Sequence, residues 1–212
     1  MTHTLHRQLF QEDVKKDFVI LSMAAQGFNN QGATPKLVQL LEILIKHNPD
    51  NYGDDGIGSI FTGITLEKMK ENASDHSYMD AVYTNIDDLV GVLKELKEAD
   101  LGISITVTGD RETILRALKV VGIKPNSIHL SLGIMGQKEK LPERDVLKIC
   151  SLCGHGMIAP ARVRDIVRKI SAGKIGVREG AELLGNTCTC GIFNTKVAEE
   201  ILQKMVQKGG SR

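Results

Sequence analysis

The stretch LGISITVTG, residues 101–109, constrains the fold more than any other. Leu101, Ile103, Ile105 and Val107 fall on one side of an extended chain, and Gly102, Ser104, Thr106 and Thr108 on the other. A parallel strand covered by helices on both faces would be apolar on both sides. This one is half polar, so it calls for an α/β chain of the α+β kind: a two-layer open sandwich with helices on one side. SIHLSLGIMG, residues 127–136, repeats the alternation, with Ile128, Leu130, Leu132 and Ile134 apolar and His129, Ser131 and Gly133 opposite. It reads as a second strand of the same kind, and the expected topology is ferredoxin-like.

The surrounding pattern supplies the helices. FVILSMAA (18–25) reads as a buried strand and QGFNNQGA as the loop after it. Thr34-Pro35 then opens a helix, Thr34 as cap and Pro35 in the first turn, where a missing N–H costs nothing. Leu37, Leu40, Leu41 and Leu44 form its buried stripe, and Asn48-Pro49 stops it. Asn48 to Ser59, rich in turn formers, reads as a loop. Residues 60–72 read as a short strand and a helical turn or two, and AVYT as another short strand. Asn85 caps a helix through Ala99 with Leu89, Val92, Leu93 and Leu96 inward. Asp110 caps another, with Ile114, Leu115, Leu118 and Val121 inward and Gly122 at its end. LPERD (141–145) marks a boundary between an α/β ligand- or partner-binding domain (1–140) and a small helical unit (141–212).

All four cysteines lie in that second unit, as C-x2-C-x34-C-x-C: Cys150, Cys153, Cys188 and Cys190. Two close pairs offer four soft ligands, suited to zinc or an iron–sulfur cluster. The bland alternatives are buried thiols acting as small apolar groups, or a redox disulfide. Val163, Ile166, Val167 and Ile170 make one helical stripe ended by Gly173; VREGAELL (177–184) makes a shorter helix; Asn194 caps a last one carrying Val197, Ile201, Leu202 and Met205. Each pair is expected just ahead of a helix start, where free N–H groups and the dipole favour thiolates. His155 is a candidate for the outer shell of such a centre, although its plainer reading is a turn residue before Pro160.

This order of cysteine pair, helix, short helix, cysteine pair and helix, over about residues 148–206, resembles the [2Fe-2S] module of the bacterioferritin-associated ferredoxin family. In that family C-x-C comes first and C-x2-C second; here the two spacings are inverted. The resemblance implies that Cys150, Cys153, Cys188 and Cys190 are all iron ligands. A [2Fe-2S] cluster is the expected cofactor, with [4Fe-4S] as a variant and zinc as the alternative.

Charge and composition narrow the rest. With 27 basic and 26 acidic residues and 4% aromatics, nothing favours nucleic acid. No apolar run approaches the roughly 20 residues of a membrane span, and MTHTLHRQLFQEDVKKDF has no secretory core, so a cytoplasmic protein is expected. Gln26, Asn29, Asn30 and Gln31, with Thr108, Asp110 and the LGIMGQ loop, are expected to gather at one sheet edge as a site for a small anion. Arg162, Arg164, Arg168 and Lys169 form a basic face, either solvated surface or a dock for an acidic redox partner. The polar strand face either meets water or pairs with a second subunit in a homo-oligomer. No Ser-His-Asp order, HExxH or EF-hand loop is present, so no reaction is assigned. The expected function is that of an iron–sulfur protein in electron transfer or in redox or iron sensing. The alternatives are a zinc-stabilised small-molecule-binding or assembly protein without redox activity, and an enzyme with its site in the strand-end loops.

Overall fold

The computed structural model describes residue 7 and residues 15–209. The N-terminal stretch read above as lacking a secretory core lies mostly outside them. Thirteen elements are labelled here: β1 (Phe18–Met23), α1 (Thr34–Lys46), β2 (Asn51–Asp54), β3 (Gly58–Ser59), α2 (Leu66–Asn72), β4 (Tyr78–Tyr83), α3 (Ile86–Ala99), β5 (Ser104–Thr108), α4 (Arg111–Val121), α5 (Arg144–Ser151), α6 (Pro160–Ser171), α7 (Val177–Gly185) and α8 (Thr195–Gly209). Among the described residues no helix is long and apolar enough to cross a membrane.

The strands form one sheet of order β3-β2-β4-β1-β5, antiparallel at every pairing. Without the short β3 and α2, the chain runs β1-α1-β2-β4-α3-β5 in the order β2-β4-β1-β5, a βαββαβ ferredoxin-like sandwich. Alternation in β1 and β4 divides the core in two. Phe18, Ile20, Ala81 and Tyr83 pack with the inner faces of α1, α3 and α4. Val19, Leu21 and Val82 point the other way and are buried with residues of α5 to α8. The α+β sandwich thus carries the helical unit as a third layer over its second face.

The caps follow the sequence. Asn85 accepts from the Asp87 N–H, Asp110 from the Thr113 N–H and Asn194 from the Val197 N–H. The first helix differs by one position: Ala33 is its cap and Thr34 its first residue.

Three expectations are corrected. Asn48 to Ser59 holds a β-hairpin rather than a plain loop, because Asp54 Oδ1 accepts from the Gly56 and Ile57 N–H groups and closes the turn between β2 and β3. SIHLSLGIMG is no strand: residues 127–136 have no regular structure, and Ile128, Leu130, Leu132 and Met135 are exposed. It pairs with neither edge strand of the sheet, β3 or β5, and alternation alone does not make a ladder. The polar face of β5 does not simply meet water either. Thr108 and Thr106 stand across from Val19 and Leu21, on the face the helical unit covers, and Thr108 is buried.

Candidate metal centre

The first cysteine pair sits where a helix ends. Cys150 is in the last turn of α5, and Cys153 follows in a tight turn whose N–H donates to the Cys150 carbonyl at 3.3 Å. The second pair lies between α7 and α8, with the Cys188 N–H donating to the Gly185 carbonyl at 2.8 Å. Neither pair sits at a helix N-terminus, which corrects the sequence expectation. α6 starts seven residues after Cys153 and α8 five after Cys190, beyond the first turn in which a helix dipole acts.

The two turns are held by groups distant in sequence. Ser59 Oγ donates to the Cys188 carbonyl at 2.9 Å, and Asn51 Nδ2 to the Phe193 carbonyl at 3.1 Å. Arg7 spans both turns, donating to the Leu152 carbonyl at 2.6 Å and the Ile192 carbonyl at 2.7 Å while pairing with the buried Asp17. Asn194 Nδ2 donates to the same Asp17 carboxylate. Gly191 lies on the β2 backbone at a φ of 79°, where a Cβ would stand 2.3 Å from Gly53 N and from the Tyr52 carbonyl carbon. Only glycine allows this approach. Ile192 and Phe193 are then fully buried, each contributing about 1.5–3 kcal/mol.

These contacts bring three thiols and an imidazole together. Cys188 Sγ is 3.7 Å from Cys190 Sγ, and Cys190 Sγ is 3.7 Å from His155 Nδ1. Cys153 interacts with Cys188 in turn. The three thiols are 1%, 1% and 0% exposed for Cys153, Cys188 and Cys190, so water does not solvate them. His155 faces outward, and its Nε2 lies 3.8 Å from Asp55 Oδ1 at the hairpin tip. Asp55, His155 and Cys190 have ligand atoms within 4.8 Å of one another. Cys150 is half-buried beside Cys153.

The electrostatics favour the neutral thiol at Cys150, Cys153 and Cys188. The hydrogen bond with Cys188, then burial, pushes Cys153 far above its ordinary value. The Cys153 contact lowers the Cys188 pKa, but the Cys190 contact and burial outweigh it and push it up to about 12. Burial pushes Cys150 up to about 11. Beneath the hairpin, Asp80 stands across from Gly53, and burial followed by the Asp54 and Asp55 charges holds its carboxyl well above the usual range.

The loop proposed for an anion is arranged otherwise. Asn29 accepts from the Ala25 N–H and donates to the Gly102 carbonyl, both at 2.6 Å; Asn30 accepts from the Gly27 N–H; Gln26 and Gln31 are exposed. The N-terminus of α1 already meets an anion: the Asp75 carboxylate accepts from the Gly32 and Thr34 N–H groups and the Thr34 hydroxyl. Thr108 and Asp110 lie elsewhere. β1 and β5 are antiparallel, so the loop after β1 is at the Ser104 end of the sheet and Asp110 at the opposite end. Asp110 is occupied by the Thr113 N–H and hydroxyl.

The sequence reading missed Asp55, Ser59, Asn51 and Arg7. Only the tight Asp54-Asp55-Gly56 turn hinted at Asp55. No family model matches the chain, nor does any curated protein or solved structure.

Proposed function

We propose that the protein binds one thiophilic metal ion of the zinc class through Cys153, Cys188, Cys190 and His155. The ion would lock the helical unit onto the β2–β3 hairpin, making this a metal-stabilised binding or assembly protein. The observation that carries the reading is the pair of 3.7 Å separations meeting at Cys190 Sγ. Ligands on one tetrahedral ion, with metal–sulfur near 2.3 Å and metal–nitrogen near 2.0–2.1 Å, stand about 3.8 Å apart for two sulfurs and about 3.6 Å for sulfur and nitrogen. The donor set fits as chemistry too. Thiolates buried without a cation are costly, and a bound cation offsets that cost while releasing the thiol protons. Asp55, facing the other ring nitrogen of His155, is placed to orient the imidazole.

A second reading is favoured by Cys150, which lies close enough to Cys153 for their charges to interact. Cys150 would then be the fourth sulfur ligand of an iron–sulfur cluster, His155 a hydrogen-bond donor to sulfur, and the function electron transfer or redox sensing. Metal and sulfide analysis with a visible spectrum, on protein purified without oxygen, separates the two. The zinc reading expects a colourless protein with about one zinc per chain, lost in Cys190→Ser and retained in Cys150→Ser. The cluster reading expects bleachable absorbance near roughly 400–460 nm, iron and sulfide in step, and loss in Cys150→Ser. A wild-type protein with no stoichiometric metal would sink both.

A further inference from the structure

α5, α6 and α8 enclose a groove of about 810 Å³ on the outer side of the helical unit. Its walls include Val146, Ala161, Val167 and Met205, an apolar lining in which the methionine can adapt to a guest. Its rim carries four cations, Arg144, Arg164, Arg168 and Lys208, against two acids, Glu143 and Asp145. Arg164 pairs with Glu143 at 2.7 Å, and Asp145 with Lys208 at 2.8 Å and Lys148 at 3.4 Å. Arg168 pairs with Asp165, which also serves Lys169. The Arg168 and Lys208 side chains are 79% and 71% exposed, so their pairs are weak and readily exchanged for an incoming carboxylate.

We propose that this groove docks an acidic amphipathic helix from a partner protein. The shape argues for a helix. Ala161, Arg164 and Arg168 recur at helical spacing along α6, with Val167 beside them, and span two turns, about 10 Å. Met205 and Lys208 run one turn along the opposite wall. A trough between helices takes the apolar face of another helix, and its rim then meets the residues flanking that face. Here the rim is cationic by two charges, so the complementary flanks are Glu or Asp. This dock does not depend on which metal the cysteines hold, or on whether they hold one.

The probe is a synthetic helix-forming peptide of about 14 residues, or four turns, with Leu along one face and Glu on both flanks. Its twin carries Lys in place of every Glu. Fluorescence anisotropy with the full chain as purified should give micromolar binding of the Glu peptide and at least about ten-fold weaker binding of the Lys twin. Arg168→Glu, at an exposed position, and Val167→Glu, in the groove wall, should each weaken the Glu peptide about ten-fold or more. The melting temperature of Arg168→Glu should fall by no more than about 1–3 °C, since the variant loses only an exposed pair with Asp165. Absence of binding, equal binding of the twin, or wild-type affinity in Arg168→Glu would overturn the proposal. So would self-association abolished by Val167→Glu, which would give the groove to a second copy of the chain.

Discussion

Residues 24–33 and residues 186–194 are both loops that lead into a helix, and both concentrate side chains of the kind that bind ligands. They use them in opposite ways. In the first loop, Asn29 and Asn30 bond main-chain groups of the loop itself and of the neighbouring Gly102, and Asp75 fills the helix N-terminus. In the second, Ser59, Asn51, Arg7 and Asn194 take up the backbone and capping bonds, and the cysteine side chains are left facing one another. A loop that solves its own hydrogen bonding with its polar side chains has few left for a guest. One braced by the rest of the protein keeps its side chains available.

The sharpest way to break the second arrangement is Gly191→Ala. A Cβ there meets the β2 backbone, which cannot move aside as a side chain can, and the residue would also be held at positive φ. A loss of about 3–5 kcal/mol is expected, or a fall in melting temperature of roughly 6–20 °C for a chain of this size. Calorimetry checks it, and metal retention should fall with it. An unchanged melting temperature would mean that the turn does not lie on β2.

Asn29→Ala tests the first arrangement. Removing two hydrogen bonds to main-chain groups should cost about 1–2 kcal/mol in a urea titration and leave metal content at the wild-type level. If instead Asn29→Ala kept full stability and removed the response of the protein to a small anion, the loop would be a binding site after all.

The smallest effect is expected at Asp75. Its bonds to the Thr34 hydroxyl and N–H, and then to the Gly32 N–H, lower its pKa to about 2. The folded value is below the unfolded one, near about 3.9, so this contribution is complete above pH ~4 and is lost as pH falls toward ~2. Asp75→Asn should therefore flatten the acid side of the stability curve between those limits and barely change stability relative to wild type below them. Thermal melts from pH 2 to 7 check this. Parallel curves across the whole range would remove Asp75 from the cap.

Much of the fold was legible because its signals are local. The stripe Leu37, Leu40, Leu41 and Leu44, the caps at Asn85, Asp110 and Asn194, and the left-handed end at Gly122 each rest on a few consecutive residues. The hairpin at residues 51–59 was not legible. Gly53, Asp54 and Gly58 read as turn formers, and their pairing depends on β4 and on the Gly191 turn pressing from outside. Residues 127–136 failed the other way, showing a strand's alternation without pairing to either edge strand, β3 or β5. Of the candidate site, the cysteines were visible from their spacing. Asp55 was not, since it lies 100 positions before His155 in the chain.

The sequence by itself determined which residues carry soft-ligand chemistry, where most helices begin and end, and that β5 would have an apolar and a polar side. Those properties follow from side-chain type and from spacing along the chain. Only the tertiary structure decided that the polar side lies under a second helical layer, that His155 closes on Cys190, and that Arg7 joins both cysteine turns. Such outcomes depend on which distant surfaces bury one another, and that is decided by the packing of whole layers rather than by any short stretch of residues.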